Sequence, residues 1–255
     1  RGYIAQMQPK LPQLFGALPK AKLEVVAMPA YMAPTQPQAF YDQGTPDGSR
    51  PGRVDVNTYN FADRSLTDVE TVAYHEGIPG HHLQISIQQE LKDLPPFRQQ
   101  AYYTAYTEGW ALYSERLGEE VGFYRDPYSN YGHLQDEMLR AIRLVVDTGL
   151  HAKHWSRDQV VRFFHDHSAI DEVEVQTETD RYIVAPGQAL AYKIGQLKIL
   201  ELRTKAQTAL GPRFDVRRFH DEVLGSGALP MDVLSARIEA WINTEKAAEK
   251  AVKKG

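Results

Sequence analysis

The residues Thr71–Gln84 read TVAYHEGIPGHHLQ and lie at the boundary between two differently patterned parts of the chain. The sequence before about residue 66 is rich in Pro and Gly, whereas apolar residues after Leu66 recur at the three- and four-residue steps of a helix. Thr67 and Glu70 form a capping-box pattern, in which each side chain covers an amide of the first turn. We therefore predict a helix that begins at Thr67 and runs toward Leu91.

The dipeptide Pro79–Gly80 interrupts this helix immediately before His81. Pro79 has no amide proton to donate, and its ring collides with the carbonyl of His75 one turn earlier. On a regular helix His81 would lie about 240° around the axis from His75, so the two imidazoles could not meet. A break at the Pro–Gly pair could return His81 to the side of His75, and His82 would then face away.

His75, Glu76 and His81 together have the composition of a hydrolytic zinc site. Two imidazoles can hold Zn²⁺ while the carboxylate beside the first accepts a proton from metal-bound water. A third ligand is commonly a carboxylate on a later helix, and the candidates are Glu108 and Glu115. Glu108 has mostly apolar neighbours, where a carboxylate is costly unless it is paired or bound to metal, so we choose Glu108.

Each of these assignments has a structural alternative. The histidines could be surface residues beside a kinked helix. Glu108 could be a surface carboxylate or the buried partner of Arg140 or Arg143, and Glu115 could be a surface charge near Arg116. Three histidines, a glutamate and a Pro–Gly break within a few residues favour the metal site.

Four residues further along the chain could act on a substrate. His151 follows Asp147 by one helical turn, so the carboxylate could orient the imidazole toward an oxyanion. Arg181 and Tyr182 could bind a peptide substrate, the arginine by holding a carboxylate, and the hydroxyl of Tyr192 could donate to a tetrahedral intermediate. The alternative is a structural role for all four, with Arg181 paired to a nearby carboxylate.

Composition excludes several classes of protein. The 255 residues carry 29 basic and 33 acidic side chains, and no Lys/Arg run is long enough to follow a phosphate backbone, so nucleic acid is not expected as a partner. A run of about 18 apolar residues, which a membrane span needs, does not occur. Because the chain has no cysteine, any metal must be held by His and carboxylates.

We predict a mainly α fold with a small antiparallel β element near the N-terminus, folded as one domain over residues 1–255. The apolar runs Leu23–Met28 and Arg53–Asn60 are typical of short strands, and Val54–Asn57 could instead present an edge to an extended substrate. Further helices are predicted over Arg98–Glu120, Asn130–Lys153, Ser156–His167, Asp171–Ile183, Pro186–Leu210, Phe214–Leu224 and Met231–Lys250. Ser156 and Gln159 form a capping box at the start of the third of these.

Four runs in this sequence resemble the C-terminal half of a bacterial family known as domain of unknown function 885. They are HEGIPGHHLQ, YTEGWALYSERLG, VVDTGLHAKHWSRDQ and RYIVAPGQALAYKIGQLKI. The family in turn resembles helical zinc metallopeptidases of the gluzincin type. The resemblance implies a multi-helix, zincin-like domain in which His75, His81 and Glu108 bind zinc through an HExxxxH motif and Glu76 is the general base.

The resemblance also carries expectations about the whole protein. Family members are usually about twice as long as this chain, so we expect it to be the C-terminal half of a longer protein and to need the N-terminal half as a partner. A start at Arg1 agrees with that expectation. The resemblance favours a periplasmic, secreted or lipoprotein-anchored bacterial protein over a cytoplasmic one.

The predicted function is therefore zinc-dependent hydrolysis of a peptide-like amide by a metal-activated water. Two alternatives remain at this point. The chain could be a non-catalytic module that binds peptides, or a purely structural helical domain that keeps the residues of the metal site.

Overall fold

The computed structural model describes residues 1–252, and it describes the side chains of all of these except residues 35, 63 and 249–252. Helices account for 65% of the structure and strands for 6%, which confirms the predicted mainly α fold with a small sheet near the N-terminus. Within the described chain, no helix combines the length and the apolar character needed to cross a membrane.

Two short helices precede the N-terminal sheet, and the other helices follow it. They are α1 (Gly2–Met7), α2 (Leu11–Leu14), α3 (Val69–Val72), α4 (His81–Glu90), α5 (Pro96–Gln99), α6 (Thr104–Glu120), α7 (Pro127–Lys153), α8 (Arg157–His167), α9 (Glu172–Val184), α10 (Leu190–Leu210), α11 (Val216–Leu224) and α12 (Met231–Val252). Most predicted helices are present within a few residues of their expected bounds. There are two larger differences: the predicted helix from Arg98 is divided into α5 and α6, which begins only at Thr104, and the helix after Pro186 begins only at Leu190.

The sheet has three strands in the order β1-β3-β2, namely β1 (Leu23–Ala27), β2 (Ala39–Asp42) and β3 (Gly52–Val56). Strand β2 pairs with β3 antiparallel, but β1 pairs with β3 in parallel. The predicted antiparallel element is therefore only half correct. The prediction missed β2, whose four residues lie in a Pro-rich stretch that reads as a loop.

The centre of the molecule is the crossing of α6 and α10. A Cβ atom on Gly109 would collide with the backbone of Gly195, and a Cβ on Gly195 would collide with the carbonyl oxygen of Ala105. The two glycines therefore let the helix backbones touch. The largest apolar cluster surrounds this crossing and includes Trp110 and Tyr113 of α6 together with residues of α1, α2, α11 and α12.

A second apolar cluster joins α7, α8 and α9. Helix α8 begins with the predicted capping box, because the amide of Gln159 donates to Ser156 Oγ and the amide of Ser156 donates to Gln159 Oε1. Phe164 of α8 and Tyr182 of α9 are both buried in this cluster. The layer between the two clusters is polar, and it contains the candidate site.

Helix α7 carries several exposed apolar side chains, and several of its charged side chains are buried. Arg140, Arg143 and Asp147 are at most 9% exposed. The exposed large apolar residues share one side of the helix and are Tyr128 (73%), Tyr131 (50%), Leu134 (54%), Met138 (47%) and Val145 (40%). The apolar periodicity of the sequence therefore identifies the helix correctly, although part of that pattern lies on the exposed surface.

Candidate metal centre

The helix containing the motif is interrupted as the Pro–Gly pair predicts. After α3 the chain forms a π-helical turn over Ala73–Gly77, Ile78 is extended, and α4 begins at His81. The Ile78–Pro79 peptide bond is cis. Gly80 packs so tightly that a Cβ atom would collide with the carbonyl oxygens of Tyr74 and His75.

The predicted capping box at Thr67 is wrong, because the helix starts at Val69 without a side-chain cap.

The break brings two imidazoles and two carboxylates together. Ligand atoms of His75, Glu76 and His81 lie within 4.8 Å of one another. Glu108 Oε2 lies 3.3 Å from His81 Nε2 and 3.6 Å from His75 Nε2. The imidazole rings are perpendicular, with centroids 4.9 Å apart. Because zinc sites use imidazole nitrogen and carboxylate oxygen, this set of donor atoms fits Zn²⁺.

Buried opposite charges dominate the electrostatics of this group. Burial by itself lowers the pKa of His75, but hydrogen bonds to Glu108 and Glu115 and the charge of Glu76 outweigh it and raise the pKa to about 10. Burial raises the pKa of Glu108, yet His81 and His75 hold it well below its usual range. Burial raises the pKa of Glu76. His75 and Glu108 therefore stabilise each other as an ion pair, and a bound cation could use the same nitrogen and oxygen lone pairs.

Glu115 fixes the orientation of the His75 ring. His75 Nδ1 lies 2.7 Å from Glu115 Oε1, and the carboxylate is fully buried, so Nε2 is the nitrogen that faces Glu108. Thr71 Oγ1 donates to Glu115 Oε2 at 2.9 Å. Arg140 Nη2 lies 3.8 Å from Glu115 Oε1. A carboxylate behind a ligating histidine is a common arrangement in metal sites. The surface alternative for Glu115 is therefore wrong.

His82 occupies different surroundings from His81. Its Nδ1 hydrogen-bonds the hydroxyl of Tyr41 on β2 at 3.0 Å, and burial lowers its pKa to about 4. The ring of His82 lies edge-on to that of Tyr41. The structure therefore places His81 beside His75 and directs His82 toward the sheet, which is the arrangement that the sequence predicts.

Two tyrosines border the group. The ring of Tyr192 stacks on that of His75, with centroids 6.2 Å apart and planes 20° apart. The hydroxyl of Tyr102 donates to Glu108 Oε1 at 3.4 Å, and this residue is 60% exposed. Sequence reasoning missed Tyr102, because it lies in the loop before α6 and no spacing rule connects it with the motif.

The comparisons with known proteins identify the family. Residues 1–238 match the family described as "Bacterial protein of unknown function (DUF885)". The chain belongs to this family. No curated protein matches the chain. The family that the four sequence runs resemble is thereby confirmed, while the likeness to gluzincin metallopeptidases stays a prediction.

Two solved structures are similar to this DUF885 chain. One, "the putative lipoprotein from Colwellia psychrerythraea", is 43% identical with a TM-score of 0.92, and the match covers 95% of this chain and 42% of that protein. The other, "a putative lipoprotein of unknown function from Shewanella oneidensis", is 19% identical with a TM-score of 0.73, and the match covers 92% and 45%. The DUF885 chain thus spans less than half the length of either protein.

The remaining predicted residues of this DUF885 chain are divided between two environments. Arg181 Nη2 donates to the hydroxyl of Tyr192 at 3.2 Å, and the ring of Tyr192 in turn stacks on that of His75. Tyr182 is only 1% exposed, and its hydroxyl contacts Glu178 and Arg143. The prediction that Tyr182 contacts substrate is therefore corrected: the ring is part of the second apolar cluster.

His151 also has partners that differ from the predicted ones. Its Nε2 donates to the carbonyl oxygen of Tyr182 at 2.9 Å. Asp147 accepts hydrogen bonds from the amide of Gly187 at 3.0 and 3.2 Å. The carboxylate thus holds the loop before α10, and the imidazole holds the end of α9. Both contacts support a structural role in place of the predicted oxyanion contact.

Proposed function

We propose that this chain is a zinc-dependent hydrolase of peptide-like amides. The observation that carries the proposal is the convergence of His75 Nε2 and His81 Nε2 on Glu108 Oε2, with Glu76 in the same buried group. His75, His81 and Glu108 would hold the ion. A bound Zn²⁺ would lower the pKa of a water molecule, so that the water can lose a proton and attack an amide near neutral pH.

The remaining chemistry is assigned to residues of the chain. Glu76 accepts the proton of the attacking water and delivers it to the leaving amine. The Tyr102 hydroxyl lies beside Glu108 on the exposed side of the group, where it can donate to the oxyanion of the substrate. Tyr192 keeps the His75 ring in place by stacking and remains a second candidate donor. His151 takes no part in this scheme.

Strand β2 gives the substrate a surface to pair with. In the order β1-β3-β2 the outer side of β2 is a sheet edge, whereas β3 is paired on both sides. The backbone of Tyr41 on β2 faces the Glu76 carboxylate. An extended peptide that pairs with β2 would therefore pass beside Glu76. The sequence leaves two alternatives for Val54–Asn57, a free edge or pairing with Leu23–Met28; β3 pairs with β1 and also with β2, so the free edge is that of β2.

The proposal extends to the whole protein. The lipoprotein name of the Colwellia relative supports a protein that is periplasmic, secreted or anchored to lipid. The additional length of both solved relatives supports an N-terminal half that completes the cleft. Nucleic acid is not a proposed partner, because the net charge is −4.

Metal analysis joined to peptide digestion tests this function. The untagged chain should bind about one equivalent of Zn²⁺ and cleave members of a mixed peptide library. Glu76→Gln should keep the metal and lose hydrolysis, because an amide cannot accept the proton, whereas Glu108→Ala should lose the metal. The control is Glu24→Gln, which alters an exposed carboxylate on β1.

Two results would contradict the proposal in different ways. Zinc content near zero in metal-replete protein, with no rise in melting temperature on adding zinc, would leave a structural helical domain. Bound zinc without turnover, both in this chain and in the longer protein, would favour a module that binds peptides without cleaving them.

A further inference from the structure

Two guanidinium groups, one buried (Arg143) and one half-buried (Arg181), share a single carboxylate beside the candidate centre. Arg143 Nε and Nη2 donate to Glu178 Oε2 at 3.2 and 2.7 Å, and Arg181 Nη1 donates to Glu178 Oε1 at 3.1 Å. Within the described chain, Glu178 is the one carboxylate that contacts either arginine. The three side chains therefore leave one positive charge without a counterion, which is costly where water is largely excluded.

The hydrogen bonding of Arg143 is also incomplete. Arg143 is 4% exposed, and its Nη1 is a buried donor without a hydrogen-bond partner among the described groups. Most buried donors in folded proteins are paired, so an orphaned one indicates a missing acceptor. Arg181 reaches the surface, because 35% of its side chain is exposed. An anion can therefore approach this pair of arginines from the side of Arg181.

Tyr192 connects the arginines to the candidate metal ligands. The Arg143 guanidinium carbon lies 4.7 Å from the centroid of the Tyr192 ring, and that of Arg181 lies 6.0 Å from it. The same ring lies 6.2 Å from that of His75. Arg181 is therefore no more than about 12 Å from the His75 ring, a distance that about three residues of extended chain can span.

We propose that Arg181, supported by Arg143 and Tyr192, binds the terminal α-carboxylate of the substrate. This inference rests on the proposed function and makes it a carboxypeptidase activity that releases a fragment of one to three residues. Water adds its oxygen to the acyl carbon, the C–N bond breaks, and the leaving amine takes the proton. The released fragment keeps the carboxylate at Arg181. A substrate cleaved far from its end would place no such charge there.

Three N-acetylated peptides of the same length test the subsite. One ends in a free carboxylate, one in a carboxamide, and one in an aspartyl carboxamide, so that the second carboxylate source is a side chain. Binding to the metal-free chain is measured by calorimetry, and kcat/KM is measured for the zinc-loaded chain. We expect the free-carboxylate peptide to bind about 10- to 100-fold more tightly than the carboxamide, and its kcat/KM to be higher by a similar factor.

Variants at Arg181 test whether this residue distinguishes a free terminal carboxylate from a carboxamide. Arg181→Gln should reduce binding and kcat/KM for the free-carboxylate peptide to the level of the carboxamide, and Arg181→Lys should restore part of the difference. The control is Arg157→Gln, because Arg157 is an exposed arginine that pairs with Asp180 on neighbouring α9. Thermal melting of each variant confirms that it folds.

The outcomes separate the subsite from the proposed function. Carboxylate-selective binding that is lost in Arg181→Gln supports the subsite, and it does so even when no peptide is hydrolysed by this chain or by the longer protein, a result that contradicts the hydrolase. Hydrolysis of the free-carboxylate and carboxamide peptides at equal rates supports the hydrolase and overturns the subsite. Selective binding of the aspartyl carboxamide overturns the terminal-carboxylate assignment, because the arginines would then bind an acidic side chain.

Discussion

His81 and His82 are neighbours in the sequence, and their rings point to different parts of the molecule. The ring of His81 lies beside Glu108, and that of His82 lies beside Tyr41. We expect His81→Ala to lose nearly all bound zinc, because two protein ligands hold the ion weakly. His82→Ala should retain about one equivalent. Zinc content after dialysis checks both, and loss of zinc in the His82 variant alone would contradict the assignment.

Glu115 acts through His75, so we expect its substitution to have a graded effect. Glu115→Gln keeps the shape of the side chain but removes the charge that faces His75 Nδ1. We expect zinc affinity to fall by about 10- to 100-fold without loss of the site. Competition with a zinc chelator measures the affinity. Glu119→Gln on the exposed side of α6 is the matched control, and an equal effect in both variants would mean that position 115 has no special role.

His220 should make the stability of the fold depend on pH. The ring is fully buried, accepts a hydrogen bond from Tyr113 at Nε2 and donates to Leu14 from Nδ1. Burial lowers its pKa from 6.5 to about 3. The unfolded chain therefore binds a proton below pH 6.5 that the folded chain refuses. The contribution of His220 to the free energy of unfolding is fully present above pH 6.5. It is lost as the pH drops toward 3, by at most about 1.4 kcal/mol per pH unit.

The variant His220→Asn isolates this contribution. Asn keeps a donor for Leu14 but does not titrate, so its free energy of unfolding should change less between pH 6.5 and 4.5 than that of the wild type. Urea unfolding at several pH values measures the difference. Identical pH slopes in the two proteins would show that His220 does not titrate as its burial implies.

The local part of the candidate site could be predicted from the sequence, and the distant part could not. His75, Glu76 and His81 lie within seven positions, and the Pro–Gly break between them follows from backbone sterics. The role of Glu115 was harder to predict from the sequence, because its burial depends on Arg140 and Thr71 from other helices. Residues such as Tyr102 have no signal in the sequence until α6 and α10 are packed.

At the scale of elements, the crossing of α6 and α10 should be the most sensitive contact. Gly195→Ala would force a methyl group against the backbone of α6. We expect the free energy of unfolding to fall by about 1–3 kcal/mol or more, because the obstacle is backbone and cannot rotate away. Zinc affinity should fall as well, since α6 carries Glu108 and α10 carries Tyr192.

Gly2→Ala is the control for this substitution, because a Cβ atom at Gly2 meets nothing within 4 Å. Chemical denaturation of the two variants gives the comparison. A Gly195→Ala protein as stable as the wild type would show that the helices can separate without cost.

The elements also show where sequence patterns stop being informative. Helix bounds follow from local caps and periodicity, and the box at Ser156 is present as predicted. The direction of strand pairing depends on contacts between segments about 30 residues apart, so the parallel pair of β1 and β3 was not predicted. The buried face of α7 was not predictable either, because carboxylates on two other helices help to pair its arginines. Arg140 pairs with Asp136 on α7 and lies near Glu115 on α6, and Arg143 pairs with Glu178 on α9.

At the scale of the whole molecule, the candidate centre lies in the polar layer between two apolar clusters. The first cluster holds α6 and α10, and the second holds α7, α8 and α9. His75 and Glu108 stand on the side of the first cluster, while Arg143 and Glu178 stand on the side of the second. Binding sites often form between such packed units, because a cleft there can admit a ligand without opening either core.

The exposed apolar row on α7 should make the purified chain adsorb to other surfaces. Tyr131, Leu134, Met138 and Val145 expose apolar side chains along one side of the helix. We expect strong retention on a phenyl resin in ammonium sulfate, and earlier elution of a Leu134→Glu/Met138→Lys variant at nearly unchanged stability. Val173→Glu, which alters an isolated exposed residue on α9, should elute like the wild type. Equal retention of all three proteins would mean that the row does not govern how this chain behaves in storage, salting-out or crystallisation.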